Sequence, residues 1–489
     1  MAVGWLACAS LLFYSWWNIT CLPIFLVSIV MNFIFGNRLA RQPSRWLLFV
    51  AIGLNVIALA YYKYTGFLFQ AFNQVSGSGI VIPSIILPLA ISFFTFQQIA
   101  YLVDAHDGRA VEHNFLDYVL FISFFPHLIA GPITHHREML PQFNQLLSGG
   151  GEAGRLTVGL TLFLIGLVKK VILADPIGTY VGPVFEFARE GGIPSFAQAW
   201  GGALSYAMQI YFDFSGYTDM AIGLGILFGI SLPPNFDSPF KASNIIEFWS
   251  RWHMTLTRFL TAYVYNPMTL SLVRTRMRNG HPVPKRGKTT PGAFAAITAA
   301  PTVFTMFISG IWHGAGWQFI VFGLLHGIYL TINHGWHALK SMRSSYRAHE
   351  NPFTIFIGMC TTFLCVLVGL IFFRAHDVSS AWRILLGMGG HSRYHPLSLP
   401  ELSGITATQV VSLTCLFLIV WCFPNASQWM RSYRTALEPE VDAVRKENYL
   451  SILQWKPNFV FGVLTGLVGT LALMRALSSA PTEFLYFQF

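Results

Sequence analysis

Charge is scarce in this 489-residue sequence. Only 11% of its residues are Asp, Glu, Lys or Arg, against roughly 25% in soluble globular chains. That shortage excludes an ordinary water-soluble domain. The chain also lacks a cysteine framework. Cys8, Cys21, Cys360, Cys365, Cys415 and Cys422 lie in or beside apolar stretches without a CxxC pair, so buried free thiols are the default and no disulfide or zinc scaffold is suggested. No GxSxG elbow or Walker A loop occurs, which leaves serine-hydrolase and ATPase readings without an anchor. The N-terminus has neither the basic region nor the small-residue cleavage site of a signal peptide, so "GWLACASLLFYSWW" is expected to be a retained span. No repeat of 20–50 residues is visible, which argues against a solenoid.

What the sequence does have is hydrocarbon. Hydrophobic residues make up 54%, 44 of them Phe, and the mean hydropathy is +0.53. Such a composition suits a bilayer with aromatic anchors at its interfaces. Apolar stretches near the ~20 residues needed to cross fall at roughly 3–18, 20–35, 46–62, 83–103, 114–131, 156–174, 198–230, 292–311, 315–337, 354–374, 405–423 and 457–477. The expected fold is therefore an all-α polytopic membrane protein with about ten to twelve crossings, one integral-membrane domain over 1–489. The net charge of +10 resides in short loops, "NRLARQPSR" (37–45), "RTRMRNGHPVPKRGK" (274–288) and "KSMRSSYR" (340–347). Basic loops between spans follow the positive-inside pattern and meet membrane lipid; no basic-aromatic platform for nucleic acid accompanies them. The longest polar segment, 425–456, reads as a surface helix or loop.

An ionisable group at membrane depth costs roughly 2.5–3.5 kcal/mol on insertion scales and usually faces an interior cavity. The first such group is His313 in "FISGIWHGAGWQF", flanked by Trp312 and Trp317 and by Gly310, Gly314 and Gly316. A neutral imidazole is a natural general base in a dry site; a packed histidine at a helix end accounts for the same residues. His253 lies in "NIIEFWSRWHMTLTRFLTAYVYNP" (244–267), read as one amphipathic helix with Asn244 as N-cap and Glu247 as the reciprocal cap. Here too an interfacial histidine is the alternative. His326, 13 residues after His313, is too far along a continuous helix to meet it unless the helix breaks. Asp213, Ser215 and Asp219 in "YFDFSGYTDMAIGLG" suggest a polar pocket, a structural network or a proton path. His135 and His136 form a pair with no third metal ligand at sensible spacing, so no metal is expected.

Taken in order, "FPHLIAGPI", "YFDFSGYTDMAIGLG", "NFDSPFKASNIIEFWSRWHMTL", "GIWHGAGW", "GLLHG" and "FFRA" resemble the membrane-bound O-acyltransferase (MBOAT) family. The match is closest to the bacterial alginate O-acetyltransferase branch and covers about Leu11 to Ala375. The resemblance implies an MBOAT-like ring of tilted helices, with re-entrant or interfacial helices, around a central tunnel. The motif-bearing core would be about 83–375, followed by C-terminal helices in 376–489. An acyl donor would enter from the cytoplasm and the acceptor from the outer side. It also implies that His313, from the "WHG" motif, is the principal catalytic residue and that His253, from "RWH", is the second tunnel histidine. The family usually carries another apolar segment before "LLFYSWW", so this chain is expected to lack a first helix or to start late, whereas the terminal "FLYFQF" resembles the family's own ending. After "RWH" the branch typically reads "SLSTWLRDYLYIPLGGNR" where this chain has "MTLTRFLTAYVYNPMTLSLVR", which leaves the acceptor open.

The expected function is an O-acyltransferase of the bacterial inner membrane, with no bound cofactor. It would move an acetyl group from acetyl-CoA, or another acyl thioester, to an exported polysaccharide or a periplasmic SGNH-type relay protein. His313 would withdraw the proton and His253 would position the donor or share that proton. Trp312 and Trp317 would exclude water, while Asn244, Asp213 and Ser215 would contact substrate. Other acceptors are peptidoglycan, teichoic acid or a lipid. A proton-coupled transporter using Asp213, Asp219 and the histidines is the competing class, but the paired broken helices common in transporters are not seen. A catalytically dead scaffold is the third reading.

Overall fold

The computed structural model describes residues 1–110, 114–145, 153–283, 289–342, 351–392, 406–433, 435–437, 454–478 and 485. Among these the regular secondary structure is helical; the β pairing is an isolated antiparallel bridge, Phe236–Trp252. Among the described residues, six helical stretches are long and apolar enough to span a membrane: Ile19–Arg41, Arg45–Ser76, Gly154–Gly178, Pro291–His313, Pro352–Arg374 and Phe459–Ser478. Ala2–Trp17 and Ala407–Cys422 are shorter apolar helices. The chain is thus a multi-pass, all-α membrane protein.

Two of the expected spans are shortened, for one physical reason. A proline offers no N–H to the helical ladder and disfavours helix at the residue before it. Residues 83–103 contain Pro83 and Pro88, and the helix begins only at Ile91, giving Ile91–His106. Residues 114–131 break at Phe124, just before Phe125-Pro126, into Phe115–Ser123 and Phe125–Leu128. The polar segment 425–456 and the basic loops at 274–288 and 340–347 lie partly outside the described residues, as does "FLYFQF" apart from Leu485.

The chain divides into two compact units, interleaved along the sequence. The first comprises Met1–Gly166, Tyr217–Pro234 and Trp429–Gly469. Its helices are joined by polar contacts typical of membrane packing. Asn32 and Asn55 exchange side-chain amide bonds of 3.1 and 2.7 Å, and each amide also donates to the carbonyl four residues back. The expected pair His135 and His136 is buried here, with the His136 ring 5.1 Å from Tyr101 and 5.5 Å from Phe121.

The second unit comprises Leu167–Gly216, Asn235–Gln428 and Thr470–Phe489. Its centre is a hairpin of helices Ala300–His313 and Trp317–Met342. A Cβ at Gly310 would strike the Phe319 carbonyl, one at Gly323 the Met306 carbonyl, and one at Gly327 would lie 3.0 Å from the Val303 Cα. Without side chains at these positions the two backbones touch, as small-residue interfaces in membranes allow. Elsewhere in this unit Lys170 bonds Asp213 at 2.7 Å and Asp175 at 2.9 Å, and the Leu485 amide donates to Asp213 at 3.1 Å.

Candidate active site

His313 is the last residue of its helix, and the extended Gly314 behind it ends the ladder. Its side chain therefore sits at the carbonyl end of a helix, where positive charge is favoured. The imidazole is buried among rings at centroid distances of 4.9 Å (Trp312), 5.0 Å (Phe373), 5.9 Å (Phe322) and 6.4 Å (His253). The Trp312 ring also lies 6.0 Å from His253. The structure thus brings together the two histidines and Trp312, which stand 60 residues apart in sequence.

His253 occupies a position that the sequence reading placed inside a continuous helix. Instead the helix Ile245–Arg251 stops, Trp252 is extended, and His253 has φ +44° before a new helix begins at Met254. A left-handed conformation at a non-glycine residue costs roughly 1–2 kcal/mol and persists only when its surroundings fix it. Residues 235–237 supply that constraint. The Met254 amide donates to the Asn235 carbonyl and the Asp237 amide to the Arg251 carbonyl, both at 3.0 Å. The Asn235 side-chain oxygen accepts from the Thr255 hydroxyl at 2.6 Å and the Thr255 amide at 3.3 Å. That amide donor identifies the Asn235 atom as oxygen, and His253 Nδ1 lies 3.4 Å from it. The network therefore assigns the ring proton to Nδ1. Burial pushes this imidazole down to about 3, so it is neutral at physiological pH.

The break also corrects the expected capping box. The Glu247 amide does donate to Asn244 Oδ1 at 2.9 Å. The Glu247 carboxylate, however, reaches past Asn244 to the Ser243 amide and hydroxyl, both at 2.8 Å, and pairs with Arg251 at 2.7 Å. Asn244 is thus occupied as a helix cap. Asp213 is held in the Lys170 network, while Ser215 is buried with its hydroxyl unpartnered. Asp213 and Asp219, six residues apart on the helix Phe196–Leu227, fall on different faces. Trp312 is 3% exposed and Trp317 55%, so Trp312 is much the better wall.

His326 is the residue that the sequence reading undervalued. The chain reverses at Gly314–Gly316, so the Phe322 ring lies 5.9 Å from His313 and 4.7 Å from His326. The Trp249 indole donates to His326 Nδ1 at 3.2 Å, tying the helix before His253 to the helix after His313. Reading "WHGAGW" as a hairpin turn would have found it. Asn235 carried no sequence signal, because its role arises from pairing 18 residues away.

Comparison with known proteins identifies the family. The family profile described as "MBOAT, membrane-bound O-acyltransferase family" matches residues 109–280. Peptidoglycan O-acetyltransferase of Helicobacter pylori is 40% identical over 417 residues, covering 79% of this chain and 73% of that protein. A probable alginate O-acetylase AlgI of Pseudomonas putida is 30% identical over 492 residues, covering 98% and 93%. Teichoic acid D-alanyltransferase of Streptococcus thermophilus is 25% identical over 373 residues, covering 74% and 81%. This chain belongs to the membrane-bound O-acyltransferase family and is an O-acyltransferase.

Proposed function

We propose that the protein moves an acetyl group from a cytoplasmic thioester, acetyl-CoA in the simplest case, across the bacterial inner membrane. The acceptor is a hydroxyl of a cell-envelope glycan, reached directly or through a periplasmic SGNH-type relay protein. His313 takes the proton from the attacking hydroxyl, and the oxygen adds to the thioester carbonyl. When the tetrahedral intermediate collapses, the C–S bond breaks and the imidazolium returns the proton to the leaving thiolate. Ester and thiol are the products, with no net proton consumed. His253 positions the donor or shares the proton. The rings of Trp312, Phe322 and Phe373 keep water from the thioester.

The observation that carries this reading is the burial of two histidines, 6.4 Å apart, around Trp312 at a helix terminus. The named chemistry of the H. pylori relative favours wall peptidoglycan as the acceptor, and that of the AlgI relatives favours a secreted polysaccharide. The deciding experiment replaces His313 with Ala and measures ester content of muropeptides and of secreted polymer by mass spectrometry. Normal esterification at normal protein level sinks the proposal.

A further inference from the structure

The segment that fixes the backbone of His253 is short. Asn235, Phe236 and Asp237 pair with residues 251–254 through one isolated bridge, and two paired strands without a sheet are marginally stable at best. Ser238, next along the chain, is left-handed at φ +48° directly before Pro239. Ser238 and His253 are two of the three non-glycine residues with positive φ among the described residues, and such residues persist only where their surroundings fix them. The fixing contacts come from residues 421–428. Asn425 and Gln428 form a capping box of their own: the Gln428 amide donates to Asn425 Oδ1 at 2.8 Å, and the Asn425 amide to Gln428 Oε1 at 3.1 Å. Those backbone donors identify the two oxygens, so the other terminal atoms are NH2 groups. Both NH2 groups turn onto Asp237 Oδ1, at 3.0 and 2.9 Å, and that of Asn425 also reaches Ser238 Oγ at 3.0 Å. Beside them the Lys241 ammonium donates to the Phe423 carbonyl at 2.9 Å and the Trp421 indole to the Phe240 carbonyl at 3.1 Å. A capping box uses only its oxygens; two amide donors converging on one carboxylate perform a second task.

We propose that Asn425 and Gln428 are positioning residues for His253. They clamp Asp237 and Ser238, and the clamped segment in turn presents Asn235 to the turn at His253, where it bonds the Met254 amide and Thr255. Phe236 adds a second path, since its ring lies 4.9 Å from Phe214, which lies 4.9 Å from the His253 ring. This assignment rests on the acyl-transfer reading above, in which His253 takes part in the reaction. It makes a pair of residues 188 and 191 positions after the Asp237 they hold part of the scaffold of the active site.

Asn425→Ser keeps a good helix cap but removes the donor, so it should melt close to wild type. Asn425→Asp also keeps the cap and faces Asp237 with a second carboxylate. The readout is the rate at which ester appears on muropeptides and secreted polymer, per molecule of folded protein in the membrane. That rate should fall about 5-fold in the first variant and about 20-fold in the second, because a small misplacement of a reacting group is costly. Adding Asp237→Asn to Asn425→Asp exchanges donor and acceptor, and should restore most of the wild-type rate. Wild-type rates in both single variants, or no recovery in the exchanged pair, would overturn the clamp. A residue that acts through His253 has nothing to position once the imidazole is gone. In a His253→Asn background, which tolerates the left-handed backbone, Asn425→Ser should therefore leave the residual rate unchanged. An equal further loss there would reduce the clamp to a structural contact and overturn its positioning role. Full activity in His253→Asn alone would instead refute the part assigned to His253, so the two failures are distinguishable.

Discussion

Two buried polar clusters in the second unit resolve the same problem in opposite ways. Around Lys170 the charges close on one another: two carboxylates share one ammonium, and the Leu485 amide occupies a further acceptor. Around His313 the polar groups are rings that are faced, edge-on or tilted, by other rings. A closed ion network is committed to holding its helices. The histidine of the proposed site is instead walled by aromatic rings. The sequence presents Asp213 and His313 alike, as titratable groups in apolar runs, and it is their surroundings in the fold that tell them apart.

The largest effect should come from breaking the catalytic side of this contrast. His313→Ala is expected to lower acyl transfer by about 10²–10⁴-fold with an unchanged melting curve; a collapsed melt would place His313 with the structural cluster instead. On the other side, Lys170→Met strands two carboxylates and should destabilise the fold by about 3–5 kcal/mol, measured by denaturant unfolding in detergent. Activity per folded molecule should stay near wild type, and its selective loss would erase the distinction.

A smaller effect separates backbone from ring at His253. Asn tolerates the left-handed region and Val does not. His253→Asn should therefore fold about 1–2 kcal/mol better than His253→Val, while both lose transfer activity. Equal stabilities would refute the strained-backbone account.

The smallest effect concerns Glu247, which lies outside the spanning helices. Burial alone would raise its carboxyl, but the Ser243 bonds and Arg251 outweigh burial and hold it below the ordinary 4.5. Its contribution to stability is full above the unfolded value and is lost as pH falls through the lower folded value. The wild-type melting midpoint should accordingly drop more steeply below about pH 4.5 than that of Glu247→Gln; parallel curves would show that the carboxylate contributes nothing.

Much of this was legible in the sequence. Hydropathy gave the helical membrane class, and ordered motifs gave the family along with His253 and His313. Other features were not, for definable reasons. The apolar positions Phe248, Trp252 and Leu256 fit one helical stripe, yet long-range backbone and side-chain bonds with Asn235 and Asp237 outcompete the local ladder and break it at His253. The 13-residue gap hid that Phe322 lies against both His313 and His326, because a reversal at Gly314–Gly316 leaves no periodic trace. Asp213 left a pocket, a structural network and a proton path open because its cation, Lys170, stands 43 positions earlier.

The glycine contacts of the central hairpin have a consequence for genetics. With backbone pressed on backbone at Gly310 and Gly323, even a methyl group has no room to enter. In a saturation screen for envelope acetylation these positions should be as intolerant as His313 itself, down to alanine. Protein abundance separates the two kinds of null allele: the glycine alleles should vanish from the membrane, whereas the histidine allele should accumulate there, folded and idle.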